Sequence, residues 1–155
     1  MLQNLLAERL KLAVHREERE LAHLALVRGR SAPKLAESTA AEGAPGAVTN
    51  IGRINSPRMS METLTMLLSR FERKTIVDRT DLKGFFQVRL EWTPESIRIL
   101  PPRPDGTPVL LNGIPADGPS LVTAVQEQLG LRLESRKGPI EVLVIDHVEQ
   151  TPSEN

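Results

Sequence analysis

The chain has no cysteine among its 155 residues. Thiol catalysis, disulfide staples and cysteine-based zinc ribbons are excluded together. It has no tyrosine, and aromatics make up 3% of it. That is too few for the stacking platforms on which single-stranded nucleic acids lie. It has no net charge, since 20 Lys plus Arg balance 20 Asp plus Glu. This leaves no electrostatic footprint for nucleic acid or an anionic membrane. No apolar run approaches the roughly 20 residues of a membrane-spanning helix. The segment from Met1 to Leu10 carries Glu8 and Arg9, unlike a signal peptide with its basic start and unbroken apolar stretch. What is present is an ordinary globular composition, long enough for a single domain, 1–155, to bury a core without staples.

Periodicity divides the chain into three helix–strand–strand units. Leu2, Leu5, Leu6 and Leu10 fall at helical spacing and predict a helix over 2–10. Strands over 11–17 and 21–27 follow, joined by a charged turn at Arg16–Glu20. In the central unit, 60–100, Ser60 is a candidate N-cap for a helix over 61–72 with Met61, Leu64, Leu68 and Phe71 inward. A short strand at 75–77, a turn at Asp78–Gly84, a strand over 85–92 and a short strand at 97–100 complete it. Phe86, Val88, Leu90 and Trp92 alternate with Gln87, Arg89 and Glu91, the pattern of a half-buried strand. The third unit has a helix over 120–129 capped by Ser120 and closed by Gly130, then strands at 131–136 and 140–148. Lys137-Gly138-Pro139 reads as their turn, and the run from Val142 to Ile145 as buried on both faces. Two segments read as flexible loops, 29–59 with a short strand at 48–54, and 101–119, which holds six of the twelve prolines.

Residues 2–30 align with 121–149 without a gap, at an offset of 119. Leu2, Glu8, Leu10 and Leu12 meet Leu121, Glu127, Leu129 and Leu131. A duplication and two units that share a generic pattern both fit this match. Either way the fold class is α+β, with helices packed on antiparallel sheet.

Several segments together resemble one bacterial family. They are Met1–Leu12 with His15-Arg16-Glu17 and Arg19-Glu20-Leu21; Val77–Gly84; Leu90-Glu91-Trp92-Thr93; Gly118–Leu121; Glu127–Leu131; Val144–His147; and Pro152–Asn155. The family is a soil-associated one, expanded in Acidobacteria, and is a domain of unknown function. The resemblance covers most of the chain outside the two loops. It implies export to the periplasm or exterior, because members carry an N-terminal signal and further residues before the first helix. The expectation is therefore a reading frame that extends upstream of Met1, or else a truncated, non-functional copy. The chain departs from the family at Leu10, usually Phe, at His23, usually aromatic, and at Asp81, usually Gly. The family brings no catalytic residues. As modules, the three units also resemble the small N-terminal domains of secretins and TonB-dependent receptors, which implies partner binding or stacking in an envelope assembly.

Candidate chemistry is sparse. His15, His23 and His147 match no zinc signature. His15 and His147, beside Asp146, form a ligand pair only where the two end strands lie side by side. Asp78 and Asp81 could work as paired carboxylates in a hydrolase-type enzyme, or simply bond nearby amides in a turn. Ser60 and Ser120 read as caps, since neither lies in a nucleophile elbow. Trp92 reads as a core anchor. No catalytic, cofactor or metal site emerges. The expectation is a non-enzymatic domain that binds protein through a sheet edge, at 11–17 or 75–77.

Overall fold

The computed structural model describes residues 13–98, 101–107, 109–111 and 113–147. These fall into two compact units: residues 13–22 with 137–147, and His23–Arg136. Strands β1 (Ala13–Arg28) and β9 (Leu131–His147) contribute to both. The fold class is α+β.

The larger unit is built on a four-stranded antiparallel sheet. β4 (Arg53–Met59) lies between β3 (Val48–Asn50) and β6 (Phe86–Glu91), and β2 (Ala36–Glu37) borders β6. Along β6 the side chains alternate strictly, with Phe86, Val88 and Leu90 buried and Gln87, Arg89 and Glu91 exposed. Ile54 of β4 stands opposite Leu90, so the two largest aliphatics of the sheet share a face. Helix α1 (Met61–Glu72) covers that face with Met61, Leu64 and Leu68, all buried. It starts where expected, with the Ser60 hydroxyl accepting from the Thr63 amide at 3.2 Å. It stops at Arg73, whose backbone is left-handed at φ 53°. After a two-residue connection, β5 (Ile76–Asp78) pairs parallel with β1, with Leu24 opposite Ile76 and Leu26 opposite Asp78.

Further along the chain come a helical turn α2 (Glu95–Arg98) and a small hairpin of β7 (Leu110–Leu111) and β8 (Ile114–Pro115). Helix α3 begins as an α-helix (Leu121–Ala124) and continues as a π-helical turn (Val125–Leu129). Its cap is Ser120, and Gly130 ends it at φ 66°. A Cβ at Gly130 would lie 2.9 Å from the Lys34 nitrogen and 3.1 Å from the Ala32 oxygen, so glycine is required twice over. Leu26, Ile54, Leu64, Leu68, Leu90, Trp92, Val125, Leu129 and Leu131 fill the core of this unit, each at most 1% exposed.

The smaller unit consists, among its described residues, of the first ten residues of β1 and the last eleven of β9. They form a two-stranded ribbon. His15 meets Asp146 and Arg16 meets Glu141. As β1 ascends, its partners on β9 descend, which makes the pair antiparallel. Two faces follow from the alternation of side chains. One carries Val14 and Arg16 with Glu141, Leu143 and Ile145; the other carries His15 and Glu17 with Val142, Val144 and Asp146.

Several expectations are corrected. The turn at Arg16–Glu20 is extended strand, because it contains no Gly, Pro, Asn or Asp to reverse the chain and its charges are accommodated on open faces. The turn at Lys137–Pro139 is also extended. Gly138 is not left-handed, and proline is tolerated in an edge strand. Neither end unit therefore contains a hairpin. The run from Val142 to Ile145 is not buried: Val142 and Val144 are half-buried, while Leu143 and Ile145 are 58% and 62% exposed. The expected loop 29–59 holds β2, β3 and β4. Its central strand was obscured by Pro57 and by Ser56, a polar residue that faces inward and bonds Arg58 at its carbonyl and amide. The β1–β5 pair is parallel, not antiparallel. Residues 95–98 are helical, since Pro94 sets the first turn and its carbonyl accepts from Ile97 and Arg98. The helix expected over 2–10, which the proposed repeat needs, lies outside the described residues.

Candidate interaction surface

The ribbon brings together two of the three residues singled out for a possible ligand pair. His15 Nδ1 lies 2.7 Å from Asp146 Oδ2, and Nε2 lies 3.4 Å from Glu17 Oε2. The bond to Asp146, then its charge, raises the His15 pKa above 6.5. Glu17 is held below its usual range, first by its bond from Arg19. The side chain of His147 lies outside the described residues. Among the described residues, no group of three or more His, Asp or Glu is placed to hold a metal. His23 is half-buried in the larger unit.

Asp78 and Asp81 serve the turn. Asp78 Oδ1 accepts from the Thr80 amide at 2.9 Å and the Thr80 hydroxyl at 2.7 Å. The buried Thr80 hydroxyl in turn accepts from the Leu82 amide. Asp81 has φ 56°, the left-handed conformation that glycine would adopt at no cost. Arg28 reaches across from β1 and donates to the Thr80 carbonyl at 2.7 Å and the Asp81 carbonyl at 3.2 Å. The turn geometry is thus kept without glycine. Ser60 and Ser120 are both spent as caps.

No motif marks a cleft of about 420 Å³ in the larger unit, lined by Leu24, Glu72, Lys74, Glu95, Arg98 and Leu121 among others. With Leu133 the lining comes from five separated segments, so no spacing could reveal it. Lys74 and Glu95 bond at 2.6 Å. Each shifts the other toward its charged form, Lys74 up and Glu95 down. A pair locked in this way is suited to holding structure and not to moving protons at neutral pH. Glu72 accepts the indole N–H of Trp92 at 2.6 Å.

The sheet edges differ in how they are finished. Beyond the short β2 pairing, the edge of β6 is closed by Gln128, whose side-chain amide donates to the Glu91 carbonyl at 2.7 Å and accepts from the Glu91 amide at 2.8 Å. The edge of β5 is closed by Ser69, whose hydroxyl accepts from the Ile76 amide at 2.9 Å. Both strands thus meet a side chain where another strand could add. β9 is the outermost strand of the order β5-β1-β9 and has no strand on its other side among the described residues. It carries the exposed Leu143 and Ile145, and Val14 beside them is 41% exposed. The two carboxylates that flank this stretch, Glu141 and Asp146, are already bonded to Arg16 and His15.

A family model described as "Protein of unknown function (DUF3738)" matches residues 1–148. No curated protein matches the chain, and no solved structure does.

Proposed function

The chain belongs to this DUF3738 family, and from that footing we propose that it is a non-enzymatic binding and assembly domain whose outer β9 edge takes on an added strand. The observation that carries the reading is the contrast between edges. β5 and β6 are finished by Ser69 and Gln128, whereas β9 presents an apolar, β-branched stretch whose charges are neutralised from within its own ribbon. An extended segment added there gains main-chain hydrogen bonds and apolar cover. This edge replaces 11–17 and 75–77 as the binding strand. β1 is charged from Arg16 to Glu20, and β5 is capped.

The family resemblance supports a soil bacterium as the source and the envelope or exterior as the place of action. The chain would then be exported, and its partner would be a protein rather than nucleic acid. Two long strands of similar length, β1 and β9, lie in the aligned segments 2–30 and 121–149, which supports an internal duplication. The rival enzyme reading draws on Asp78 and Asp81, but the turn accounts for both.

The test is hydrogen exchange on β9 in the presence of proteins from the parent organism's envelope fraction, run beside a hydrolase screen. Slowed exchange confined to Glu141, Leu143 and Ile145, lost in Ile145→Lys, is the expected result. Protection elsewhere on the molecule would refute the edge. Turnover that vanishes in a folded Asp78→Asn variant would replace binding with hydrolysis.

A further inference from the structure

We infer that the strand added to β9 is β9 of a second copy, paired antiparallel about a two-fold axis at Leu143. The inference rests on the edge reading above and names its partner. Gly29 donates to the Gly130 carbonyl at 3.3 Å, so residues in step with this pair turn their N–H and C=O groups toward each other. On β1 the alternation is confirmed from the other side. Leu24 donates to Thr75, and the Leu26 carbonyl accepts from Arg79, both toward β5.

Carried along β9, the alternation turns the main chain of Val142 and Val144 toward β1 and that of Glu141, Leu143 and Ile145 outward. Pro139 is the outward position before them and has no N–H. The outward donors in the exposed stretch are therefore three in a row, symmetric about Leu143. A second β9 laid antiparallel places Leu143 against Leu143, and Glu141 against Ile145 in both directions. It exchanges about six main-chain hydrogen bonds. Pro139, which accepts but cannot donate, falls opposite His147 and costs no donor.

The side chains suit the same register. Val142 meets Val144 across the non-bonded positions, where side chains approach closest. Leu143, 58% exposed, is covered by its equivalent, and Ile145, 62% exposed, by the diagonal Leu143 and the Glu141 methylenes of the second copy. No like charges stand directly opposite each other. Within this stretch Glu141 and Asp146 are satisfied by Arg16 at 3.0 Å and His15 at 2.7 Å. Two copies meeting on β1 instead would bring Glu17, Glu18 and Glu20 together, which is repulsive. An interface of this kind is isologous and closes on itself.

Analytical ultracentrifugation of the full chain over a range of concentrations tests the pairing. The wild type is expected to be a reversible dimer. Leu143→Pro removes the donor on the axis but leaves the β1 ladder intact. It should raise the dimer dissociation constant by about 100-fold or more without altering the circular dichroism. Ile145→Glu sets a carboxylate directly opposite Glu141 of the second copy, serves if the proline variant misfolds, and should also give monomer. A dimer that survives Ile145→Glu overturns the inference. A monomeric wild type overturns it as well. If that monomer still shows protected β9 amides with an envelope protein, the edge reading stands alone; if it shows none, both fall.

Discussion

Trp92 offers a measurable test of how the larger unit is held. It is 1% exposed, and its indole N–H donates to Glu72 at 2.6 Å. Its ring lies tilted by 37° against Phe71, with centroids 6.2 Å apart. Trp92→Phe removes two things. The hydrogen bond to a carboxylate is worth about 1.5–3 kcal/mol when buried; Glu72 is only half-buried, so a value discounted for solvent screening, about 1–2 kcal/mol, applies. The smaller ring leaves roughly 40 Å³ unfilled, and at ~24 cal/mol per Å³ the void costs about 1 kcal/mol. The sum is about 2–3 kcal/mol. A double-mutant cycle with Glu72→Ala separates the two, because only the hydrogen bond couples the sites. The assay is urea unfolding followed by far-UV circular dichroism, since Trp92 is the sole tryptophan and fluorescence is lost in the variant. A coupling energy below about 0.3 kcal/mol, within ordinary additivity, would refute the role given to Glu72.

Three further predictions concern other parts of the molecule. His15 should titrate above its ordinary 6.5 by NMR, and Asp146→Asn should bring it down; because the folded pKa is raised, the bond's contribution is complete below about pH 6.5 and is lost as pH rises through the raised value. Unchanged chemical-shift midpoints in Asp146→Asn would show that the pair does not form in solution. Gly130→Ala should cost at least about 1–2 kcal/mol in a thermal melt, from the left-handed backbone alone, and a melting temperature equal to wild type would mean that the cap is misplaced. Leu68→Ala, at a fully buried position, should cost about 2–5 kcal/mol, whereas Leu143→Ala should leave the stability of the monomer within about 0.5 kcal/mol; equal losses in denaturant unfolding would show that the core has been located wrongly.

The larger unit was legible wherever local chemistry and burial agreed. The strict alternation of Phe86 to Trp92, the stripe of Met61, Leu64 and Leu68, and the caps at Ser60, Ser120 and Gly130 each follow from one short stretch of sequence. β4 was not legible, because its inward Ser56 and its Pro57 spoil the period and its stability comes from two neighbours far along the chain. The ribbon misled in the opposite sense. Valine and isoleucine in a row read as burial, yet hydropathy cannot say whether a strand has neighbours on both faces. The charged stretch from Arg16 to Glu20 read as a turn on composition alone, although no residue in it favours chain reversal. A ligand pair of His15 and His147 was expected only where the end strands meet; they do meet, and the residue that reaches His15 is Asp146, while the side chain of His147 lies outside the described residues. The cleft around Lys74 and Glu95 was invisible, since only tertiary structure assembles it.

The clamp of Arg28 on the turn at Thr80 and Asp81 bears on how this sequence can drift. With glycine at position 81 the turn forms by itself, and the arginine is expendable. With aspartate there, the left-handed backbone carries a cost of roughly 1–2 kcal/mol that Arg28 helps to offset from 53 residues away. The two positions therefore constrain the order of substitution. A change from glycine to aspartate is cheaper where the arginine is already in place, and once Asp81 is there, loss of Arg28 costs more than it would beside glycine.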